Sequence, residues 1–409
     1  MKIWLKYLIA IAVGILAAII IPSGSIQAQA VLNFLVELSV RFGRYTIVPL
    51  LFFSIAMAAC NLREEHLMVK TGLWTFGTII ISSLGLTILG LLTALIFKIP
   101  RIPITIEKVT DVPAFDIQTL ITKIFPYSAF ESLADGSYLL PCFVLAGLFG
   151  AACASDKVAS KPTLTLFDSI SRVCYTVMSL FTELLTFGIV AIVAKWSFDL
   201  VASLRLGYYG FLILMLLILT LLIAFVFYPL ILRFLCHDHR PYKVLFASLS
   251  SVIVAFFSGD TNLTLALNYR NGKENLGIRR RINSMASPLF SIFARGGTAL
   301  VSAICFVVVL RSYSSLGISG GDVFWILGVA FGLSFFLGEI PYGGPIYVIT
   351  IMCSLYGRGF ENGYLLLKDL TPILCSFAAV IDCLTAVFGC YIVGVKTKNI
   401  EHQEVKKYI

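Results

Sequence analysis

Two charged residues stand isolated at about membrane depth in long apolar runs: Arg295 within 283–310 and Asp382 within 364–395. An ionisable side chain at membrane depth costs ~3 kcal/mol or more unless it is paired or solvated, so each marks a place that needs a partner. Both runs follow an apolar stretch broken near its middle by turn residues. The first, 244–268, breaks at Ser258-Gly259-Asp260, and the second, 328–354, at Pro341-Tyr342-Gly343-Gly344-Pro345. Backbone groups freed by a break cannot face lipid, so a break inside a membrane survives only against protein or a cavity. Two such hairpins with meeting tips would aim helix N-termini at an anionic group and leave carbonyl ends for a cation. That is the chemistry of solute and ion binding. Gly and Pro could instead simply kink a long membrane helix.

Arg295 has three possible roles. It could replace a bound cation and pair with Asp382, it could offer its fork of donors to a solute carboxylate, or it could belong to a structural pair without a ligand. Asp260, on the first break, and Glu339, just before the second, are candidates for a proton carrier or for the partner of a solute amine. Either could equally be a solvated residue at a water-filled tip. Glu183 and Lys195 lie twelve residues apart on one predicted helix and form no tight pair; Lys195 can snorkel to the interface. The ten cysteines are scattered through apolar runs with no CxxC pair and no His at ligand spacing. They read as small hydrophobes, so neither a disulfide nor a metal site is expected. His237 and His239 flank Asp238 in a polar loop and read as solvated. No Ser-His-Asp set, phosphate loop or zinc-protease motif is present, which leaves an enzyme without support.

Composition names the class of chain that must position these residues. Of 409 residues, 59% are hydrophobic and 13% charged, with a mean hydropathy of +0.94. A soluble domain carries about 25% charged residues, so the chain reads as an all-α polytopic membrane protein. The net charge of +9 does not signal nucleic-acid binding, because the basic residues sit in short clusters beside apolar runs, as the positive-inside rule produces. The clusters share one side, with both termini cytoplasmic, if the two broken stretches dip in and return. Residues 1–22 read as a first transmembrane helix rather than a signal peptide, since no small-residue cleavage site closes the run. With ~20 residues needed per span, helices are expected at 4–22, 40–61, 71–98, 137–154, 166–198, 207–236, 283–310 and 364–395. The segment 99–136 reads as an external loop and 397–409 as a frayed tail. The hairpin-then-helix order occurs twice, the pattern of an inverted repeat.

The residues resemble the dicarboxylate/amino acid:cation symporters, the family of the glutamate transporters. VPLLFFSIAMAACNL (Val48 to Leu62) is similar to the family's MPLVFFSLVVGAASI-type run, and Ile124 to Ala152 follows its P-x-N-x-F-x-x-L-A-x-G-x-x-L pattern with Ser128 in place of Asn. PLFSIFARGGTAL (Pro288 to Leu300) resembles PLGATINMDGTAL, and IPYGG resembles VPGAG. The resemblance spans nearly the whole chain. It implies eight transmembrane helices with two re-entrant hairpins, an elevator-type transporter, and a homotrimer in the plasma (inner) membrane. Scaffold helices would fall in 1–70 and 137–206, and a mobile transport domain in 71–98 and 207–396.

What it implies for the site is mixed. Substrate would lie among Ser258, Gly259, Arg295, Thr298, Gly343, Gly344, Cys375 and Asp382, with Asp260, Glu339 and Asp382 as candidates for coupling. The serine-rich first tip is reduced to Phe256-Phe257-Ser258-Gly259, and the family's Asn-Met-Asp becomes Ala294-Arg295-Gly296. In the last helix the amino-group Asp falls on Cys375, the carboxylate-binding Arg on Ala378, the following Thr on Ala379, the Asn on Asp382 and the sodium-binding Asp on Ala386. In the third helix Ser82-Ser83 match a Thr-Ser pair, while a Tyr becomes Ile79. The function expected is symport of a small anionic or amino-acid solute, such as glutamate, aspartate or a dicarboxylate, with no cofactor or resident metal. The coupling ion, proton or sodium, stays open. The alternative is a non-transporting sensor or an anion-conducting pore on the same scaffold.

Overall fold

A computed structural model describes residues 3–21, 26–97, 99–103, 117–205, 207–238, 240–313, 318–357, 359–401 and 403. Pro113, His239 and most of the expected tail lie outside these residues. The chain runs α1 (Ile3–Ile20), α2 (Ile26–Arg44), α3 (Ile47–Glu64), α4 (Met68–Ile96), the short α5 (Ile117–Ile124) and α6 (Glu131–Ala134), α7 (Leu140–Ser155) and α8 (Lys157–Arg205). Then come α9 (Gly210–Leu222), continued through a π-helical turn (Ile223–Phe227) into α10 (Tyr228–Leu235), and α11 (Tyr242–Ala247), α12 (Leu249–Ser258) and α13 (Thr261–Glu274). The last are α14 (Arg280–Phe293), α15 (Gly296–Tyr313), α16 (Gly320–Ser334), α17 (Gly344–Tyr356) and α18 (Thr371–Lys396), with 3-10 turns at Leu337–Glu339 and Gly363–Leu370. Among the described residues no strand forms, and seven helical stretches are long and apolar enough to cross a membrane.

Several boundaries differ from expectation. The expected span 137–154 is α7, whose 16 residues fall short of a full crossing. The expected 40–61 is a longer element broken at Tyr45-Thr46, because Pro49 in the first turn of α3 has no N–H to continue the ladder from α2. The expected single helix 283–310 is broken at Ala294-Arg295, between α14 and α15. Within 99–136, expected to be an external loop, the described residues form the short helices α5 and α6. The start of the tail is pinned rather than frayed: Arg279 N–H bonds to Asn399 O at 3.0 Å and Glu401 N–H to Gly277 O at 2.8 Å.

Both expected breaks are present. The first turns at Gly259, whose φ of +62° lies in the left-handed region that Gly adopts without strain. The second turns at Gly343, with φ +83°. Around them the core is built on α15 and α18, whose candidate spans are 94% and 100% buried; α1 is 17% buried and presents its apolar side chains outward. Without a hydrophobic drive between helices in lipid, close backbone approach does the packing, and small residues permit it. A Cβ on Gly90 would lie 2.8 Å from Leu300 O on α15, and one on Gly150 would lie 2.3 Å from Ala56 O on α3. Asp238 ties its loop to α18 by accepting from the Tyr391 hydroxyl at 2.7 Å and pairing with Lys243 at 3.1 Å. Burial opposes its charge, yet the Arg240 N–H, Tyr391 and Lys243 outweigh burial and hold its carboxyl below the usual range.

Gly90→Val should lower the thermal midpoint in detergent, costing about 1–3 kcal/mol through backbone overlap with α15. Gly85→Ala, where nothing lies within 4 Å of the new Cβ, should leave stability unchanged or raise it by the helix preference of Ala over Gly, about 1 kcal/mol. Equal midpoints for the two variants in a size-exclusion melting assay would contradict this packing.

Candidate functional site

The break between α14 and α15 leaves the first amides of α15 without partners from their own helix. Asp382, 3% exposed near the middle of α18, supplies what is missing. Its Oδ1 accepts from Gly297 N–H at 2.6 Å and Thr298 N–H at 3.4 Å, and its Oδ2 from the Thr298 hydroxyl at 2.7 Å. This is an N-cap delivered from another helix, and the negative charge also faces the positive end of the α15 dipole. Gly297 lets the two helices come this close, because a Cβ there would lie 2.9 Å from Asp382 Oδ1 and 2.6 Å from Ala378 O.

Arg295 sits in the break itself. An ion pair with Asp382, one of the three roles open to it, does not form: among the described residues, no guanidinium nitrogen of Arg295 reaches a carboxylate within salt-bridge distance. The Asp382 lone pairs are taken by α15. Arg295 is 2% exposed, and its Nε and Nη2 are buried without a hydrogen-bond partner. A buried cation with unused donors is costly, and those donors suit a planar anion such as a carboxylate.

The two hairpin tips meet. Thr261 N–H donates to Pro341 O at 3.2 Å and its hydroxyl to the same oxygen at 3.3 Å. Gly259 packs against Cys375 and Tyr342, with a built Cβ 3.0 Å and 3.2 Å from them. Gly344 sits over Thr298, whose Cγ2 would lie 3.2 Å from a Cβ. Thus Gly259, Cys375, Gly344, Thr298 and Asp382 form one connected set, with Arg295 in the adjoining break and Gly343 at the turn. Ser258 is less available, since its hydroxyl donates to Val254 O at 2.6 Å and accepts from Asp260 N–H.

The coupling candidates fare differently. Asp260 is neither solvated nor free. It caps α13 through Asn262 and Leu263 N–H, at 2.9 Å and 3.2 Å, and pairs with Arg44. Glu339 pairs with Lys123 of α5, tying that helix to the second hairpin. Glu183 pairs with Lys6 at 3.3 Å and Arg270 at 3.6 Å, not with Lys195. Sequence reasoning missed Arg44, although a charge inside an expected span was the available signal. With Asp260, Ser258, Tyr342, Lys195 and Asp199 it lines a cavity of about 320 Å³ beside the first tip.

A void of about 10 Å³, near the size of one water or small ion, lies among Thr261, Thr264, Asn268, Ser291, Asp382 and Ala386. Ala294 and Ala386 line it with methyl groups, and Gly296 brings no side chain at all. The positions expected from the resemblance to hold sodium therefore contribute no side-chain oxygen. Among the described residues no cluster of three or more His, Cys, Asp or Glu could hold a metal ion.

A double-mutant cycle separates the two accounts of Asp382. Thr298→Val and Asp382→Ala should each lower stability, with a coupling of at least about 0.5 kcal/mol between them. Arg295→Met should leave apo stability unchanged or higher, because it removes an unpartnered buried cation. A stronger coupling of Asp382 to Arg295 than to Thr298 would restore the salt bridge and overturn this geometry.

Known proteins resemble the chain over most of its length. The serine/threonine transporter SstT of Streptococcus agalactiae serotype III (strain NEM316) is 27% identical over 360 residues, 86% of this chain and 85% of that one. The proton/glutamate-aspartate symporter of Bacillus subtilis (strain 168) is 24% identical, covering 73% of each chain. Human excitatory amino acid transporter 3 is 22% identical over 76% of this chain and 58% of its own. The model of the sodium:dicarboxylate symporter family matches residues 3–395. With its apolar helices, this makes the chain an integral membrane protein and a transporter rather than an enzyme, and it belongs to the sodium:dicarboxylate symporter family.

Proposed function

We propose that the chain is a secondary active transporter of a small carboxylate-bearing solute, an amino acid or a dicarboxylate, held between the two hairpin tips. The observation that carries this reading is Arg295, buried in the break between α14 and α15 with Nε and Nη2 unpartnered. In the apo protein no anion accepts a hydrogen bond from its Nε or Nη2. A solute carboxylate accepting both donors would remove that cost, so binding is driven by what the site lacks. Asp382, held by α15, keeps the break rigid while Arg295 stays free. A serine/threonine transporter, a glutamate-aspartate symporter and an excitatory amino acid transporter are among its relatives, and a carboxylate is common to all those solutes.

In this reading α12–α13 and α16–α17 are re-entrant hairpins and the chain has eight transmembrane helices, with α7 as the short one. Both termini are cytoplasmic, and the chain sits in the plasma membrane as a homotrimer. Residues 71–98 and 207–396 move as a transport domain against scaffold segments 1–70 and 137–206. Asp260 and Arg44 face each other across that division. Arg295 also supplies the permanent positive charge that a bound cation would bring elsewhere, which fits the missing oxygens at Ala294, Gly296 and Ala386.

Uptake into proteoliposomes under separate sodium and proton gradients tests this. Saturable uptake of a carboxylate solute is expected, with an affinity that does not change when sodium is replaced by potassium or choline. A large, saturable sodium dependence of affinity would overturn the coupling proposed. Arg295→Met should weaken solute binding on the order of 10²-fold, the loss of a charge-assisted bidentate contact, while the apo protein still melts cooperatively. Unaltered affinity in that variant would remove Arg295 from the site, and absence of uptake for every carboxylate solute would favour a sensor or pore.

A further inference from the structure

Away from the hairpin tips, α4, α10 and α18 leave between them a crevice of about 670 Å³, within the ~300–1,000 Å³ of small-molecule sites. Along α4 its wall runs from Leu73 to Leu89, sixteen residues or about 24 Å of helix, against ~30 Å for the hydrocarbon core. The crevice exists because α4 carries Gly77 and Gly85 there, with nothing within 4 Å of a built Cβ on either. On the opposite wall the π-helical turn at Ile223–Phe227 sets Ile223, Phe227 and Ile231 toward the gap.

The wall offers no unused hydroxyl. Thr78 donates to Trp74 O at 2.7 Å, Ser82 to Ile79 O at 3.1 Å, and Thr385 to Ile381 O at 2.7 Å. The Tyr228 hydroxyl is 2.5 Å from Thr385 Oγ1. Water would find few partners in such a space, and an apolar chain needs none. The Trp74 end is different. The Lys396 ammonium lies 5.4 Å from the Trp74 ring centroid, and Lys70 falls on the same helical stripe as Leu73, Trp74 and Gly77. Lys70 and Lys396 make no ion pair among the described residues. The crevice is thus apolar along its length and basic at one mouth.

We infer that this crevice binds an anionic phospholipid, with one acyl chain along the Gly77–Gly85 face of α4 and the phosphate at Lys70 and Lys396. Length, apolar wall and charge all match that ligand. Basic pockets between membrane helices recognise anionic headgroups in this way, and Trp beside the mouth suits the interface. The site shares no residue with the hairpin tips and stands independently of the transport reading.

Trp74 provides the reporter. Full-length protein is placed in phosphatidylcholine nanodiscs containing a minor fraction of either brominated phosphatidylglycerol or brominated phosphatidylcholine. The Trp74 fluorescence is isolated as the difference from Trp74→Phe. Brominated phosphatidylglycerol should quench it with a preference on the order of tenfold in half-quenching fraction, given two lysines at the headgroup. Lys70→Gln with Lys396→Gln should abolish the preference, and Gly85→Leu, whose side chain enters the empty crevice, should reduce quenching by both lipids. Equal quenching by the two lipids in wild-type protein would overturn the proposal, since only bulk lipid would then touch Trp74. Quenching by neither would overturn it as well, because another chain would cover the crevice. Selective quenching that survives Gly85→Leu would put the acyl chain elsewhere and overturn the assigned seat.

Discussion

Asp382 is bound to the N-terminus of α15, and much of the molecule is arranged around that contact. A helix interrupted inside the core exposes amides that neither lipid nor apolar neighbours can satisfy. One carboxylate from α18 takes two of them and the Thr298 hydroxyl. The contact needs Gly297 to be without a side chain, and it needs α18 at the centre of the bundle, buried from Ile373 to Gly394. Closing this gap joins the two most buried helices and leaves the residue in the break, Arg295, with nothing comparable. A structural requirement met by one charge thus leaves Nε and Nη2 of the neighbouring charge without a hydrogen-bond partner.

The same rule governs the other interruptions. At the first tip Asp260 caps its own helix and is neutralised by Arg44, which comes from the end of α2 where Pro49 breaks the α2–α3 element. At the second, Gly343 turns the chain so that Gly344 rests on Thr298. The tips are also met from distant parts of the sequence, Asp260 by Arg44 and Pro341 O by Thr261. A string of polar contacts continues between α8 and the first hairpin with α14, where Arg270 bonds Thr182 at 2.8 Å and Arg280 pairs with Asp168 at 2.9 Å. These partly exposed pairs are individually weak, so they fix orientation more than they add stability.

The outer surface obeys a different economy. Helices α1, α4, α8 and α9 turn large apolar side chains outward, because in lipid this costs nothing. Glycines decide where they approach one another and where they stand apart: Gly14, Gly90 and Gly150 meet backbone, while Gly77 and Gly85 meet nothing. One residue type thus produces both the tight seams of the bundle and the long crevice along α4.

The sequence by itself determined the class of the protein, its helical content, both breaks, and that Arg295 and Asp382 are charges needing partners inside apolar runs. Those features rest on local properties: apolar run length, turn residues, and the cost of a charge in hydrocarbon. Family membership was also legible, because motifs such as PLFSIFARGGTAL occur in the order the family has them. Only the tertiary structure decided which groups the charges meet. Asp382 turned to the amides of α15 rather than to Arg295, Asp260 to Arg44, and Glu339 to Lys123. The break inside 283–310 was equally hidden, since an Arg-Gly-Gly step can continue a membrane helix or end it. Partnership between residues tens or hundreds of positions apart depends on which helices come into contact and at what rotation. That is fixed by packing across the whole bundle, and no local pattern records it.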